Sequence, residues 1–261
     1  MQVNGQSVIR NLAIRKTSNA EVEESERGWR LQLSSNENRA YRLAQLDDYH
    51  SLSRSAFPQR PPFTLRLRAR AGQRTLPGTW GFGVWNDPFG LSLGFGAGRG
   101  RLPALPNAAW FFFASQENHL ALRNDQPGQG ALAAVYRSPK LPTLLLAPAV
   151  LAAPLLLLRP MARLARKLAA KLVNHEIRGL ELDGREWHEY RISWQASGVE
   201  FRVDGQVVLR TPLAPRAPLG LVLWLDNQYA AWRPDGRLGS GTLPTPEDCW
   251  VEIRNMQIGT G

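Results

Sequence analysis

The sequence predicts an all-β protein, an antiparallel sandwich or barrel, interrupted by one helical insert at about 141–176. Three observations carry that expectation. Segments of strict apolar/polar alternation recur, as in Phe63-Thr64-Leu65-Arg66-Leu67-Arg68-Ala69, and a period of two marks a half-buried strand. Asp204-Gly205 separates two such runs, and this pair tolerates the positive φ angles of a tight hairpin turn. Outside 141–176 no helix-period pattern separates the strands, which argues against a parallel βαβ class.

In chain order, strands are expected near 8–14, 29–33 and 41–43. The acidic cluster Glu21, Glu23, Glu24 and Glu26 between the first two reads as an exposed loop; it lacks the ligand spacing of a calcium loop. The strand over 61–72 turns Phe63, Leu65, Leu67 and Ala69 one way and Thr64, Arg66, Arg68 and Arg70 the other. Over 76–100 glycines alternate with aromatics; glycine in a strand leaves room for close backbone approach, a bulge or a ligand. The Gly96–Gly100 run has no Lys-Ser/Thr or helix after it, so it is not a phosphate loop. A strongly apolar strand follows at 108–114, a second candidate at 119–123, and a turn at 127–130. After the insert come alternating strands at 187–194, a hairpin over 198–210, a long apolar strand at 219–232 and a closing strand at 249–258.

At 261 residues the chain buries a core without covalent help, and it makes one domain. Its single cysteine, Cys249, allows no internal disulfide. With no secretory pattern at the N-terminus, a cytoplasmic protein, peripheral at the membrane, is expected. The formal charge of +10 comes from 32 basic and 22 acidic residues. Nucleic acid is not the expected partner, because 28 of those bases are arginines spread along the chain with no nucleic-acid-binding motif. One asymmetry stands out. Between Asp125 and Glu176 there is no acid, while seven bases fall there, and this block contains the apolar insert. Apolar next to basic points to an anionic membrane surface.

Three segments resemble the retaining β-glucanases and their relatives, the laminarinases, lichenases and agarases of the concanavalin A-like lectin/glucanase superfamily. These are 63–87 with its Gly78-Thr79-Trp80, 187–208 with its His188-x-Tyr190…Trp194…Val203-Asp204-Gly205 pattern, and 218–232 with 249–258. The resemblance implies a jelly roll of two curved antiparallel sheets with ligands on the concave face. It also implies a catalytic Glu-x-Asp-x-x-Glu strand after the Gly-Thr-Trp segment. The stretch there reads Ala109-Trp110-Phe111-Phe112-Phe113-Ala114-Ser115, without an acid. Retaining hydrolysis needs paired carboxylates, so glucanase activity is not expected.

The candidate ligand contacts are Trp80, Trp85, Trp110, Phe111, Phe113 and Trp224, with the polar cluster Asp226, Asn227 and Tyr229; each aromatic could equally be core. Trp110 and Phe112 oppose Phe111 and Phe113, so this strand is apolar on both faces and must be covered on both. If the protein were an enzyme of unrelated chemistry, a cyclase or isomerase on an apolar substrate, His188, Tyr190 and Asp226 would be the acid/base groups. No metal-ligand spacing and no cofactor motif is evident.

The insert divides into an uncharged, proline-broken half over 141–158 and a basic amphipathic helix over 159–173. Pro142, Pro148 and Pro154 argue against a straight membrane span. On the helix, Met161, Leu164, Ala165, Leu168 and Leu172 share one arc and Arg159, Arg163, Arg166 and Lys167 the other. The expected role is a lid over the apolar strand that also touches membrane, through Leu145, Leu151, Leu156, Arg163, Leu164, Lys167, Leu168 and Lys171. The function expected is a non-catalytic binding protein whose lidded aromatic face takes a hydrophobic or amphipathic ligand. The alternative is a glycan-binding, lectin-like module.

Overall fold

The computed structural model describes residues 6–7, 12–88, 101, 104–140 and 153–259. Two antiparallel sheets face each other in the all-β jelly-roll sandwich expected. The strands, in chain order, are β1 (Gln6–Ser7), β2 (Ala13–Lys16), β3 (Ala20–Ser25), β4 (Gly28–Leu33), β5 (Leu43–Asp47), β6 (Phe63–Ala71), β7 (Thr79–Trp85), β8 (Ala108–Ala114) and β9 (Gly130–Arg137). After helix α1 (Arg159–Leu172) come β10 (Asn174–Gly179), β11 (His188–Gln195), β12 (Gly198–Val203), β13 (Gln206–Thr211), β14 (Gly220–Asp226), β15 (Gln228–Trp232), β16 (Leu238–Thr242) and β17 (Cys249–Gly259). One sheet runs β13-β12-β11-β6-β17-β4-β3, with β1 also on β17; the other runs β10-β9-β8-β7-β14-β5-β2; β15 and β16 form a separate ribbon.

The alternation in the sequence becomes the core directly. Phe63, Leu65, Leu67 and Ala69 of β6 and Tyr190, Ile192 and Trp194 of β11 all turn inward and are buried. They meet Trp80, Phe82, Phe111, Phe113, Leu223 and Leu225 of the facing sheet in one apolar cluster. The β12–β13 hairpin turns on Asp204 and Gly205 at φ 49° and 80°, as the Asp-Gly pair requires.

Four expectations are corrected, and two strands appear where none was expected. Most of the acidic cluster is not a loop: Glu21, Glu23 and Glu24 lie on strand β3, which among the described residues pairs with β4 alone and where charge discourages edge-to-edge association; Glu26 is in the turn that follows. The 119–123 segment makes a single bridge, His119 to Ala231, and serves as cover rather than as a strand. β9 and β10 fill sequence that carries no clear alternation; β9 is buried on both faces from Leu132 to Tyr136. β10 begins at Asn174, inside the span expected to be insert. The long strand at 219–232 is two strands broken at Asn227. That residue is fully buried; its side chain accepts from Arg42 N–H (2.8 Å) and donates to Ala40 and Leu243 carbonyls (2.9 and 2.7 Å). The amide thereby turns the chain out of the sheet.

Asn227→Leu leaves the buried Arg42 N–H unpaired, at about 1–3 kcal/mol, and removes the donor from the part-buried Ala40 and Leu243 carbonyls. Urea unfolding is expected to show a loss of about 2 kcal/mol; a loss below about 0.5 kcal/mol would mean that the corner is held by something else.

Candidate functional site

The seven-stranded sheet carries β8, the strand that the resemblance sets against the catalytic strand of the glucanases. Strand register sets the side chains of its outer face in rows. One row runs Asp47, Val222, Gly83, Trp110, Ala134, Ile177; the next runs Arg15, Gln45, Trp224, Gly81, Phe112, Leu132. A third holds Leu43, Asp226, Thr79 and Ala114. The six aromatics expected to bind ligand therefore divide. Trp85, Trp110 and Trp224 converge on this face, joined by Phe112 and Tyr136. Trp80, Phe111 and Phe113 point the other way, into the inter-sheet core. There Trp80 stacks on Phe113 at 3.6 Å, and Phe111 meets Tyr190 at 4.9 Å and Phe201 at 5.2 Å. Period-two alternation forces that division.

The room left by the β7 glycines is taken by the tryptophans themselves. A Cβ on Gly81 would stand 2.7 Å from the Trp224 ring, and one on Gly83 2.6 Å from Trp110 Cβ. Trp110 and Trp224 lie 5.7 Å apart, Phe112 and Trp224 5.1 Å. Tyr49, Phe57, Ala121 and Val173 join this second apolar cluster. Trp110, Phe112 and Trp224 are left only 7%, 8% and 8% exposed. None presents an open ring face, so the expected ligand platform is instead a second core. Trp85 Nε1 donates to the Tyr49 hydroxyl (2.8 Å) and Trp224 Nε1 to Thr79 Oγ1 (3.0 Å); Trp110 Nε1 is buried without a partner among the described residues.

One acid sits at the end of this layer. Asp226 accepts from Thr79 Oγ1 at 2.7 Å, and burial pushes its carboxyl up to about 7. Asp47 is the next acid on the face. It lies opposite Val222, whereas Asp226 lies opposite Leu43. That is four residues along the strand, about 13 Å at ~3.3 Å per residue. Retaining and inverting glycosidases need about 5–5.5 and 6.5–9.5 Å. Asp47 is also occupied, accepting from Tyr49 N–H, His50 N–H and Gln45 Nε2. No hydrolytic pair is formed on this face among the described residues.

His188, Tyr190 and Asp226 do not meet, which removes the cyclase or isomerase reading. The Tyr190 ring packs in the core against Phe82 at 5.1 Å, with Asp226 on the far side of the other sheet. His188 is a clamp, its Nδ1 2.7 Å from Asp204 Oδ2 and its Nε2 3.1 Å from the Asp183 carbonyl. Asn227 is spent on the corner described above. Tyr229 lies on the β15–β16 ribbon against Gly241, away from the aromatic layer.

Helix α1 differs most from expectation. It does not turn its leucines onto the sheet. The face it turns inward is centred on Ala162, fully buried, and Arg166, only 5% exposed, with Ala169 and Ala170 half-buried beside them, while Arg159, Arg163 and Lys167 of the basic arc stay exposed. Arg166 donates to the carbonyls of Trp232 (3.0 Å) and Ala121 (2.9 Å) and to Asn124 Oδ1 (2.6 Å). Arg163 donates to the Asp235 carbonyl (2.8 Å), and Trp232 Nε1 to the Ala162 carbonyl (3.1 Å). Gly236, at φ 82°, lets the turn press on the helix; a Cβ there would be 2.5 Å from the Arg159 carbonyl. The apolar arc looks outward, with Leu158, Met161, Leu164, Leu168 and Leu172 between 39% and 58% exposed and Leu157 84% exposed. Lys167 and Lys171 are exposed at its border and make no ion pair among the described residues. Of the other lid residues, Leu156 is half-buried, and Leu145 and Leu151 lie outside the described residues. No helix among the described residues is long and apolar enough to cross a membrane.

Gly90-Leu91-Ser92-Leu93-Gly94 fits the nucleophile-elbow pattern. It lies outside the described residues. The elbow belongs to a strand-to-helix turn in an α/β sheet, whereas the strand pairings here are antiparallel.

No family model matches the chain, and no curated protein matches it. Among solved structures, a candidate β-glucanase from Mycobacterium abscessus is similar at 13% identity and a TM-score of 0.44, over 88% of this chain and 75% of that one. An endo-β-galactosidase from Clostridium perfringens that releases GlcNAcα1-4Gal is similar at 10% and 0.45, over 92% and 53%. A botulinum neurotoxin type C chain, whose cell entry depends on two ganglioside molecules, is similar at 9% and 0.41, over 96% and 43%. The chain thus spans about half the length or less of the last two. At these values the likeness says nothing of substrate or mechanism.

Asp226 makes stability depend on pH. Its folded value of about 7 lies above the ordinary 3.8, so the folded state holds the proton more tightly. This contribution is full below about 4 and is lost as pH rises to about 7. Asp226→Asn is expected to flatten the fall in melting temperature between pH 4 and 8; an unchanged profile would place the slope elsewhere.

Proposed function

We propose that this chain is a non-catalytic binding protein that works against an anionic lipid surface, with α1 as its contact element. The observation that carries this reading is the outward apolar arc of α1 beside Lys167 and Lys171. An amphipathic helix in a soluble β-protein ordinarily buries its leucines. Here arginine-to-carbonyl hydrogen bonds hold the opposite face inward. Fully burying an exposed leucine is worth roughly 1.5–3 kcal/mol; Leu164, Leu168 and Leu172 are 52%, 52% and 48% exposed, so placing them in a headgroup layer supplies about half of that each with no change of fold. The bordering lysines add attraction to anionic lipid.

Sedimentation with phosphatidylserine-containing vesicles tests this. The protein is expected to pellet with them and to remain in solution with neutral vesicles. The doubly substituted Leu164→Glu, Leu168→Glu chain, altered only at exposed positions, is expected to stay in the supernatant. Equal sedimentation of both chains would overturn the reading.

A second reading, a glycan-binding module, takes its support from the other side of the molecule. An open groove of about 770 Å³ lies on the eight-stranded sheet, lined by Glu24–Trp29, Arg66–Arg68, Glu189 and Asn255–Gln257. Its mixture of polar groups with the half-buried Trp29 ring suits a sugar. A glycan array is expected to return hits that Trp29→Ala abolishes; a blank array with folded protein would count against it.

A further inference from the structure

At one end of that groove the register of the eight-stranded sheet sets like charges side by side. Arg191 of β11 is directly opposite Arg66 of β6 on one side and Arg202 of β12 on the other. Like charges directly across a sheet destabilise it. Two of the three are compensated: Arg66 pairs with Glu189 (2.7 Å) and Arg202 with Glu200 (2.6 Å). Arg191, in the middle, has no carboxylate within ion-pair distance among the described residues.

Arg191 lines a small cavity of about 150 Å³ together with Thr64, Arg66, Gln257 and Gly259. Every side chain in that set can donate a hydrogen bond, and no carboxylate lines it. The cavity shares Arg66 and Gln257 with the larger groove. A bulge shapes the junction. The β17–β6 register shifts between Arg254 and Gln257, Asn255 takes φ 51°, and its N–H turns away to the Arg27 carbonyl (3.2 Å). A bulge re-aims the side chains that follow it, and here Gln257 is the residue that follows.

We propose that Arg66, Arg191, Thr64 and Gln257 form a site for a tetrahedral oxyanion, a sulfate or phosphate group, whose polar carrier lies in the adjoining groove. Two guanidinium groups from neighbouring strands supply the charge-assisted donors, with the hydroxyl and the amide as further donors. A nucleic-acid backbone fits less well. The Trp187 and Trp250 rings are each already covered on one face, by Arg254 at 4.5 Å and Arg30 at 4.4 Å, which leaves these two rings less open to bases. Glu189, Glu200 and Glu252 also interrupt any continuous phosphate track. The sugar-sized carrier rests on the glycan reading above; the anion site does not.

The whole chain, titrated with inorganic sulfate and then inorganic phosphate at constant ionic strength, tests both parts by amide NMR. Saturable shifts confined to 64–66, 191 and 257–259 are expected. Arg191→Gln, a change at an exposed position, is expected to weaken binding at least tenfold, while Arg216→Gln, away from this face, leaves it unchanged. Binding of sulfate alone, phosphate alone or both supports the site and distinguishes which group it takes. Shifts reproduced by chloride, or equal affinity in the Arg191→Gln chain, overturn it. A sulfated monosaccharide is then compared with inorganic sulfate. Tighter binding of the sugar supports the groove as carrier site; equal binding defeats the carrier and leaves the anion site standing.

Discussion

The structure depends on one strand being denied water on both sides. From Ala108 to Ala114 every residue of β8 is buried, and the strand sits between β9 and β7 in the seven-stranded sheet. Its odd-numbered residues fill the space between the sheets, and its even-numbered ones carry a second apolar layer outside. A sheet buried on one face needs a single partner layer; a sheet buried on both needs cover on each. Segments around 49–57 and 119–122, which would otherwise be ordinary connections, are drawn in as that cover.

The second layer also determines where polar groups can survive. Asp226 stands at its margin and keeps its proton to about neutrality because its surroundings solvate a charge poorly. The tryptophans that reach the rim satisfy their N–H groups with Tyr49 and Thr79. The outer face of the seven-stranded sheet is occupied by the protein's own side chains. The surfaces with unspent binding capacity are the outward arc of α1 and the arginine-lined groove of the opposite sheet.

Much of the fold was legible in the residues. Alternation in β6 and β11, the Asp204-Gly205 turn, and the two-faced burial of β8 all follow from a period of two and simple transfer of apolar surface. β9 was not legible because, unlike β8, it is buried on both faces with small residues, Ala133 and Ala134, and so shows neither a period nor a run of large apolar side chains. The break at Asn227 was hidden for a different reason: a buried amide that turns the chain looks, in sequence, like a polar end to an apolar strand. For α1 the pattern gives two faces but not which one meets the protein. That is settled by partners distant in sequence, the carbonyls of Ala121, Trp232 and Asp235, which a local pattern cannot reveal. The anion pocket was equally invisible, since it arises from cross-strand register among residues from 64 to 259.

The doubly buried strand has a consequence for engineering. Hydrolysis of a glycosidic bond needs paired carboxylates, and the outward positions of β8 are where such a pair could be grafted onto this sheet. The obstacle would be solvation and not position. Each new carboxylate would enter a layer where Trp110 and Phe112 now exclude solvent, and an ion there is costly unless it is paired and hydrogen-bonded. Installing hydrolysis on this protein would first require unroofing the sheet, removing cover before adding chemistry. The order of those steps is set by the aromatic layer.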